Sequence, residues 1–99
     1  MEKLSPKQRA YLKSLAHPLK PILQIGKDGV THAVLQTIMD AFHARELLKI
    51  KVLESAPEEA GAAAATLADQ LSDVQVVQVI GRTVTLYHRH PEKPEIRLP

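Results

Sequence analysis

A short apolar segment, Pro21-Ile22-Leu23-Gln24-Ile25, runs into Gly26-Lys27-Asp28-Gly29 and out again into helical spacing from Val30 to Arg45. A strand, a four-residue turn with a glycine at each end and a helix must follow one another with almost no slack. Thr31 stands where it can cap the helix. Such a junction is a natural site for a phosphate backbone. The glycines allow close approach, and the first helical turn offers unpaired N–H groups and the positive end of a dipole. Lys27 adds a cation at the tip. His32, in the first turn of the helix, is a further candidate phosphate contact. KH domains clamp single-stranded nucleic acid with a loop of this kind. A lone G-x-x-G is also a common turn, with Asp28 as its turn-former.

The rest of the chain alternates between the same two periods. Ser5-Pro6-Lys7-Gln8 has the form of a capping box opening a first helix, which Pro18 and Pro21 end. Leu12, Leu15, Ala16 and Tyr11 give that helix an apolar stripe, while Lys7, Arg9, Lys13 and Lys20 leave much of its remaining surface basic. Val34, Leu35, Ile38, Met39, Ala41 and Phe42 place the second helix, Thr31 to Arg45, against a sheet. In Leu47 to Leu53, Leu48, Ile50 and Val52 alternate with Lys49 and Lys51, which predicts a half-buried strand. Its two lysines lie about 7 Å apart along the strand, near the spacing of phosphates. Pro57 to Ser72 reads as a third helix with a thin alanine face. Val74 to Ile80 and Thr83 to His88 read as strands joined at Gly81-Arg82. Asp40 and Glu46 read as ordinary helical acids.

The expected order is α-β-α-β-α-β-β. It predicts a single α/β (α+β) domain over residues 1–99, with a core of about 4–89 and a tail of 90–99 whose Ile96 and Leu98 dock. A four-stranded sheet should carry its helices mainly on one face.

Charge is unevenly placed. Residues 54–73 hold five acids and no Lys or Arg, so the remainder has all 13 basic side chains against six acids, a balance of +7. A basic surface opposed by an acidic helix suits a polyanion approached from one side. With no Cys, disulfides and thiolate metal sites are excluded. His88-Arg89-His90 offers two imidazoles on one side of an extended segment, too few for a zinc site. No nucleophile is paired with a base and an orienting group, so the chain reads as a non-enzyme without cofactor, metal or small-molecule substrate. No leader or membrane-spanning stretch is visible, and a cytoplasmic monomer is expected. Tyr11, Phe42 and Tyr87 are the only aromatics. Recognition must then rest on phosphates and shape, without a stacking platform.

Five segments in order carry a resemblance: Leu4 to Arg9, Leu15 to Pro21, Ile25 to Thr31, Glu46 to Val52 and Val79 to Tyr87. Through them the chain resembles the bacterial YhbY-type proteins, stand-alone CRM (chloroplast RNA splicing and ribosome maturation) domains. The resemblance implies a fold similar to the C-terminal domain of translation initiation factor three. It also implies binding to structured RNA through the G-x-x-G loop, and association with precursors of the large ribosomal subunit, so precursor large-subunit ribosomal RNA and the pre-ribosomal particle are the expected partners. Carried over by position, Gly26, Lys27, Asp28 and Gly29 form the loop. Lys20, Lys49 and Lys51 are basic positions of the surface, and Arg82 follows the hairpin glycine. One departure is that His88 separates Leu86-Tyr87 from Arg89, where many relatives place Arg directly. Two other readings remain open: an adaptor docking on ribosomal proteins, and an RNA chaperone without a fixed site.

Overall fold

A computed structural model describes residues 3–99. Ser5 caps α1 (Pro6–Ala16): its hydroxyl accepts from the Gln8 N–H at 3.1 Å, and Gln8 Oε1 accepts from the Ser5 N–H at 3.0 Å. This is the reciprocal pairing the sequence predicts. There follow β1 (Pro21–Ile25), α2 (His32–Phe42), β2 (Leu47–Val52), α3 (Ala60–Gln70), β3 (Gln75–Ile80) and β4 (Thr83–Tyr87). The α-β-α-β-α-β-β order is as expected, but α2 and α3 are both shorter than expected, α3 ending at Gln70 instead of Ser72. α2 stops at Phe42, three residues short of Arg45. Beyond it the His43 and Ala44 N–H groups reach back only three residues, to Asp40 and Ala41, which tightens and ends the helix. α3 starts at Ala60 instead of Pro57, with Glu59 as its N-cap, and Pro57 lies beside Gly29.

The four strands make one sheet in the order β1-β2-β4-β3, with β1 and β2 parallel and the other pairs antiparallel. The parallel pair requires a crossover, which α2 supplies. Alternation then sorts the side chains. Leu48, Ile50 and Val52 of β2, with Val84 and Leu86 of β4, face α2 and α3 and pack on Ile38, Phe42, Ala63, Ala64 and Leu67. Their neighbours Leu47, Lys49, Lys51, Thr83, Thr85 and Tyr87 point the other way. On that second face α1 lays Leu4, Leu12 and Ala16 on Leu47, Val77 and Tyr87, with Ile96 and Leu98 of the tail packed beside them. Two helices thus cover one face. The third covers only the end of the other face that holds Leu47 and Tyr87, and the rest of that face, from Lys49 to Lys51, lies beyond it.

Arg9 has a structural role that its place among the basic residues conceals. β3 is an edge strand whose register shifts between Val76 and Gln78. The Arg9 guanidinium donates to the Val76 and Val77 carbonyls at 2.6 and 2.8 Å. An edge left with bare carbonyls invites pairing with another chain. Charge-assisted bonds of this kind contribute about 1.5–3 kcal/mol. Arg9→Ala should therefore lower the melting temperature by about 10 °C, at 4–8 °C per kcal/mol for a domain of this size. A calorimetric shift under 2 °C would show that the edge does not need it.

Candidate nucleic-acid interface

The Gly29 N–H donates to the Gly26 carbonyl at 2.9 Å, closing a turn with Lys27 and Asp28 exposed at its tip. The two glycines are there for different reasons. Gly29 is buried at φ +70°, and a Cβ on it would stand 3.0 Å from Pro57 Cγ. Both the backbone and the neighbour require glycine. At Gly26 an added Cβ would meet Leu53 Cδ1 at 3.8 Å and Ser55 Oγ at 4.0 Å, ordinary contacts. The fold itself makes no demand for glycine at this position.

Thr31 Oγ1 accepts from the Val34 N–H at 3.1 Å, and the Thr31 carbonyl accepts from the Leu35 N–H. The threonine hydroxyl is thereby committed to the cap. The first-turn donors left to face outward are the N–H groups of His32 and Ala33, two exposed residues. Lys27 at the turn tip adds its charge to this end of α2.

The open part of the second sheet face continues from this end. Lys51 is exposed and pairs in register with Gln24, two residues before the loop. Lys49 is half-buried, with Nζ 3.4 Å from the His17 carbonyl at the end of α1. Lys49, His17 and Lys13 line a groove of about 500 Å³ between α1 and the sheet, and Ile80, 62% exposed, lies in its wall. Among the described residues no acidic one lines it. Lys20 is exposed one residue before Pro21, the register partner of Lys49. The structure therefore brings Lys13, Lys49 and Lys51 onto one face and sets Lys27 with Gly26, Asp28 and Gly29 at its edge, while Lys20, the neighbour of Pro21, falls on the alternate side.

Two further expected contacts fall elsewhere. Lys7 is exposed, and it lies about 120° around α1 from Lys13 and about 140° from buried Leu12, on the helix's outer side. Arg82 pairs with Glu54, Nη2 to Oε1 3.5 Å, in a depression that Glu58 and Glu59 also line. That exposed pair is worth little energetically. It places Arg82 on the acidic border instead of among the lysines.

His88 and His90 have structural roles. The His88 ring packs on Phe42 with centroids 5.3 Å apart. His90 Nδ1 accepts from the Glu92 and Lys93 N–H groups at 3.1 and 2.9 Å, closing a turn. Among the described residues no three His, Cys, Asp or Glu side chains are grouped to hold a metal. No described helix is long and apolar enough to cross a membrane.

Glu46 is not an ordinary helical acid. It is 5% exposed at the foot of β2, and its carboxylate accepts the N–H groups of His90, Glu95 and Ile96, each at 2.7 Å. Burial pushes its pKa up, but the three backbone donors outweigh burial, with help from the charge of His90, and hold it below the usual glutamate value. Next to it, burial raises the pKa of the Tyr87 phenol; Glu46 pushes it the same way and Arg89 pulls it down. The partners of Glu46 are backbone groups 44 to 50 residues downstream. No side-chain pattern in the sequence marks such a contact.

The chain matches the family model of the CRS1 / YhbY (CRM) domain over residues 4–88. It is 42% identical over 96 residues to the probable RNA-binding protein YqeI of Bacillus subtilis, covering 97% of this chain and 99% of that protein. It is 37% identical over 99 residues to an RNA-binding protein of Haemophilus influenzae, covering 100% of this chain and 98% of that one. Among solved structures, the hypothetical protein SAV1595 of Staphylococcus aureus matches with a TM-score of 0.81 at 39% identity, over 98% of this chain and all of that one.

Proposed function

Because the chain belongs to the CRS1/YhbY (CRM) domain family, we propose that it binds RNA through the Gly26–Gly29 loop and the lysine face beside it. We propose further that it acts as a cytoplasmic, monomeric assembly factor on precursor large-subunit ribosomal RNA. The observation that carries the loop reading is Gly26. Its lack of a side chain is unexplained by the fold, and it stands next to exposed Lys27 in the turn that leads to α2, whose His32 and Ala33 N–H groups have no partner within the helix. A phosphate brought to that point meets donors and positive charge without a Cβ in the way. The names of the two bacterial relatives support RNA as the ligand. The ribosomal part rests on the family resemblance.

Phe42 and Tyr87 are buried, and Tyr11 is 39% exposed. One part-exposed ring is no stacking platform, so phosphates should dominate affinity. With Lys13, Lys20, Lys27, Lys49 and Lys51 each neutralising about one phosphate, log K against log salt should have a slope of roughly −3.5 to −4.5. Lys13→Ala combined with Lys49→Ala should reduce the steepness by about 1.4–1.8. Filter-binding titrations between low and moderate salt read this directly, and an unchanged slope would remove the groove from the footprint. The acidic side around α3 favours a second reading, an adaptor for a basic ribosomal protein. Naked RNA binding with the stated salt slope argues against it.

A further inference from the structure

Where the tail passes the start of α1 it borders an open cavity of about 690 Å³. That lies within the usual range for small-ligand sites. Tyr87, in its wall, pairs in register with Leu47 at the start of β2, so the cavity is at the opposite end of the sheet from the Gly26–Gly29 loop. Among the described residues Lys3, Arg89 and Arg97 line it and no carboxylate does. None of the three makes an ion pair among the described residues. Ile96 and Leu98 form an apolar wall, completed by Tyr87. Tyr87 is wholly buried, and its hydroxyl has no hydrogen-bond partner among the described residues. A buried hydroxyl without a partner costs about 1–3 kcal/mol.

Three cations over an apolar wall call for an anion with a flat, largely apolar body. Inorganic phosphate matches the cations and leaves the wall unused. A neutral ring matches the wall and leaves the cations unused. Guanidinium groups hold phosphate oxygens in pairs, which fixes orientation as well as charge. We propose that this cavity binds one phosphorylated nucleotide, its base against Ile96 and Leu98 and its phosphate between Arg89 and Arg97. The site goes beyond the RNA surface described above and does not depend on it. A free mononucleotide and the phosphorylated 5′ end of an RNA strand both present this chemistry.

The test is an NMR titration of the full ¹⁵N-labelled chain with AMP, adenosine and inorganic phosphate. AMP should give saturable shifts at the amides of Tyr87, Arg89, Ile96 and Leu98, and bind at least about tenfold tighter than either fragment. Arg89→Ala with Arg97→Ala should weaken AMP binding about tenfold or more with the spectrum otherwise intact. Gly26→Asp should leave AMP binding unchanged, so failure of the loop reading shows separately. Phosphate binding as tightly as AMP, or shifts spread over the Lys13–Lys49 face, would overturn the assignment. Among RNA oligonucleotides, a preference for a 5′ phosphate over a 5′ hydroxyl assigns the strand end as the ligand. AMP binding without that preference assigns the free nucleotide.

Discussion

Gly26→Asp is expected to lower RNA affinity at least about tenfold, which corresponds to 1.4 kcal/mol, while the melting temperature stays within a few degrees of wild type. The two halves of this expectation have separate causes. The fold tolerates a side chain here, since the nearest atoms to a Cβ added at this position are 3.8 and 4.0 Å away. The ligand does not, because the carboxylate would stand where a phosphate meets the first turn of α2. Gly26→Ala, bulk without charge, should fall between the two. The matching change at Gly29 is a poor probe. At φ +70° a non-glycine residue costs about 1–2 kcal/mol, and Pro57 Cγ adds a contact at 3.0 Å. A binding loss at Gly29 mixes lost contact with a displaced loop, so the separation of affinity from stability has to be read at Gly26.

The largest effect on stability is expected at Glu46. Glu46→Gln keeps the size and one acceptor oxygen but turns an NH₂ towards backbone donors that a carboxylate had satisfied. Hydrogen bonds to a charged acceptor are worth about 1.5–3 kcal/mol each. The total is limited by the cost of releasing the tail, which then pairs with water. A loss of about 3 kcal/mol follows, some 15 °C in melting temperature. Hydrogen exchange should locate it: the His90, Glu95 and Ile96 amides lose protection while those of β2 and β4 keep theirs. The pH dependence has a fixed sign. The folded carboxyl titrates below the unfolded value of about 4.5. Its contribution is therefore present above that value and lost as pH falls through the folded pKa. The gap between wild type and Glu46→Gln should be constant near neutrality and shrink in acid. A gap that persists to pH 2 would show that the charge is not what holds the tail.

The parts legible in the sequence are those written in local patterns. Ser5 and Gln8 are three residues apart and cap each other as their types require. Leu48, Ile50 and Val52 alternate with Lys49 and Lys51, and the sheet faces follow. The strand, G-x-x-G turn and helix are likewise local, and so is the capping role of Thr31. What the sequence left hidden is non-local. Pro57 looks like the first residue of a helix because proline suits that position; its actual use, against Gly29, depends on two loops meeting. Arg9 and Glu46 bond to backbone carbonyls and N–H groups far along the chain, and every residue but proline offers the same N–H, so composition at the partner carries no trace. Of the candidate contacts, Lys13, Lys49 and Lys51 share a face because strand register and the packing of α1 on the sheet bring them there. Lys7 and Arg82 have the same charge but are turned elsewhere by helix phase and by Glu54.

RNA binding through the Gly26–Gly29 loop is tested most directly by in-cell crosslinking of the tagged protein to RNA, followed by sequencing of the attached fragments, for wild type and Gly26→Asp side by side. Wild-type reads are expected to concentrate on precursor large-subunit ribosomal RNA and to be largely lost in the variant, with both proteins equally abundant. Recovery of ribosomal proteins with few RNA fragments, or a read pattern that Gly26→Asp leaves unchanged, would contradict the proposed function.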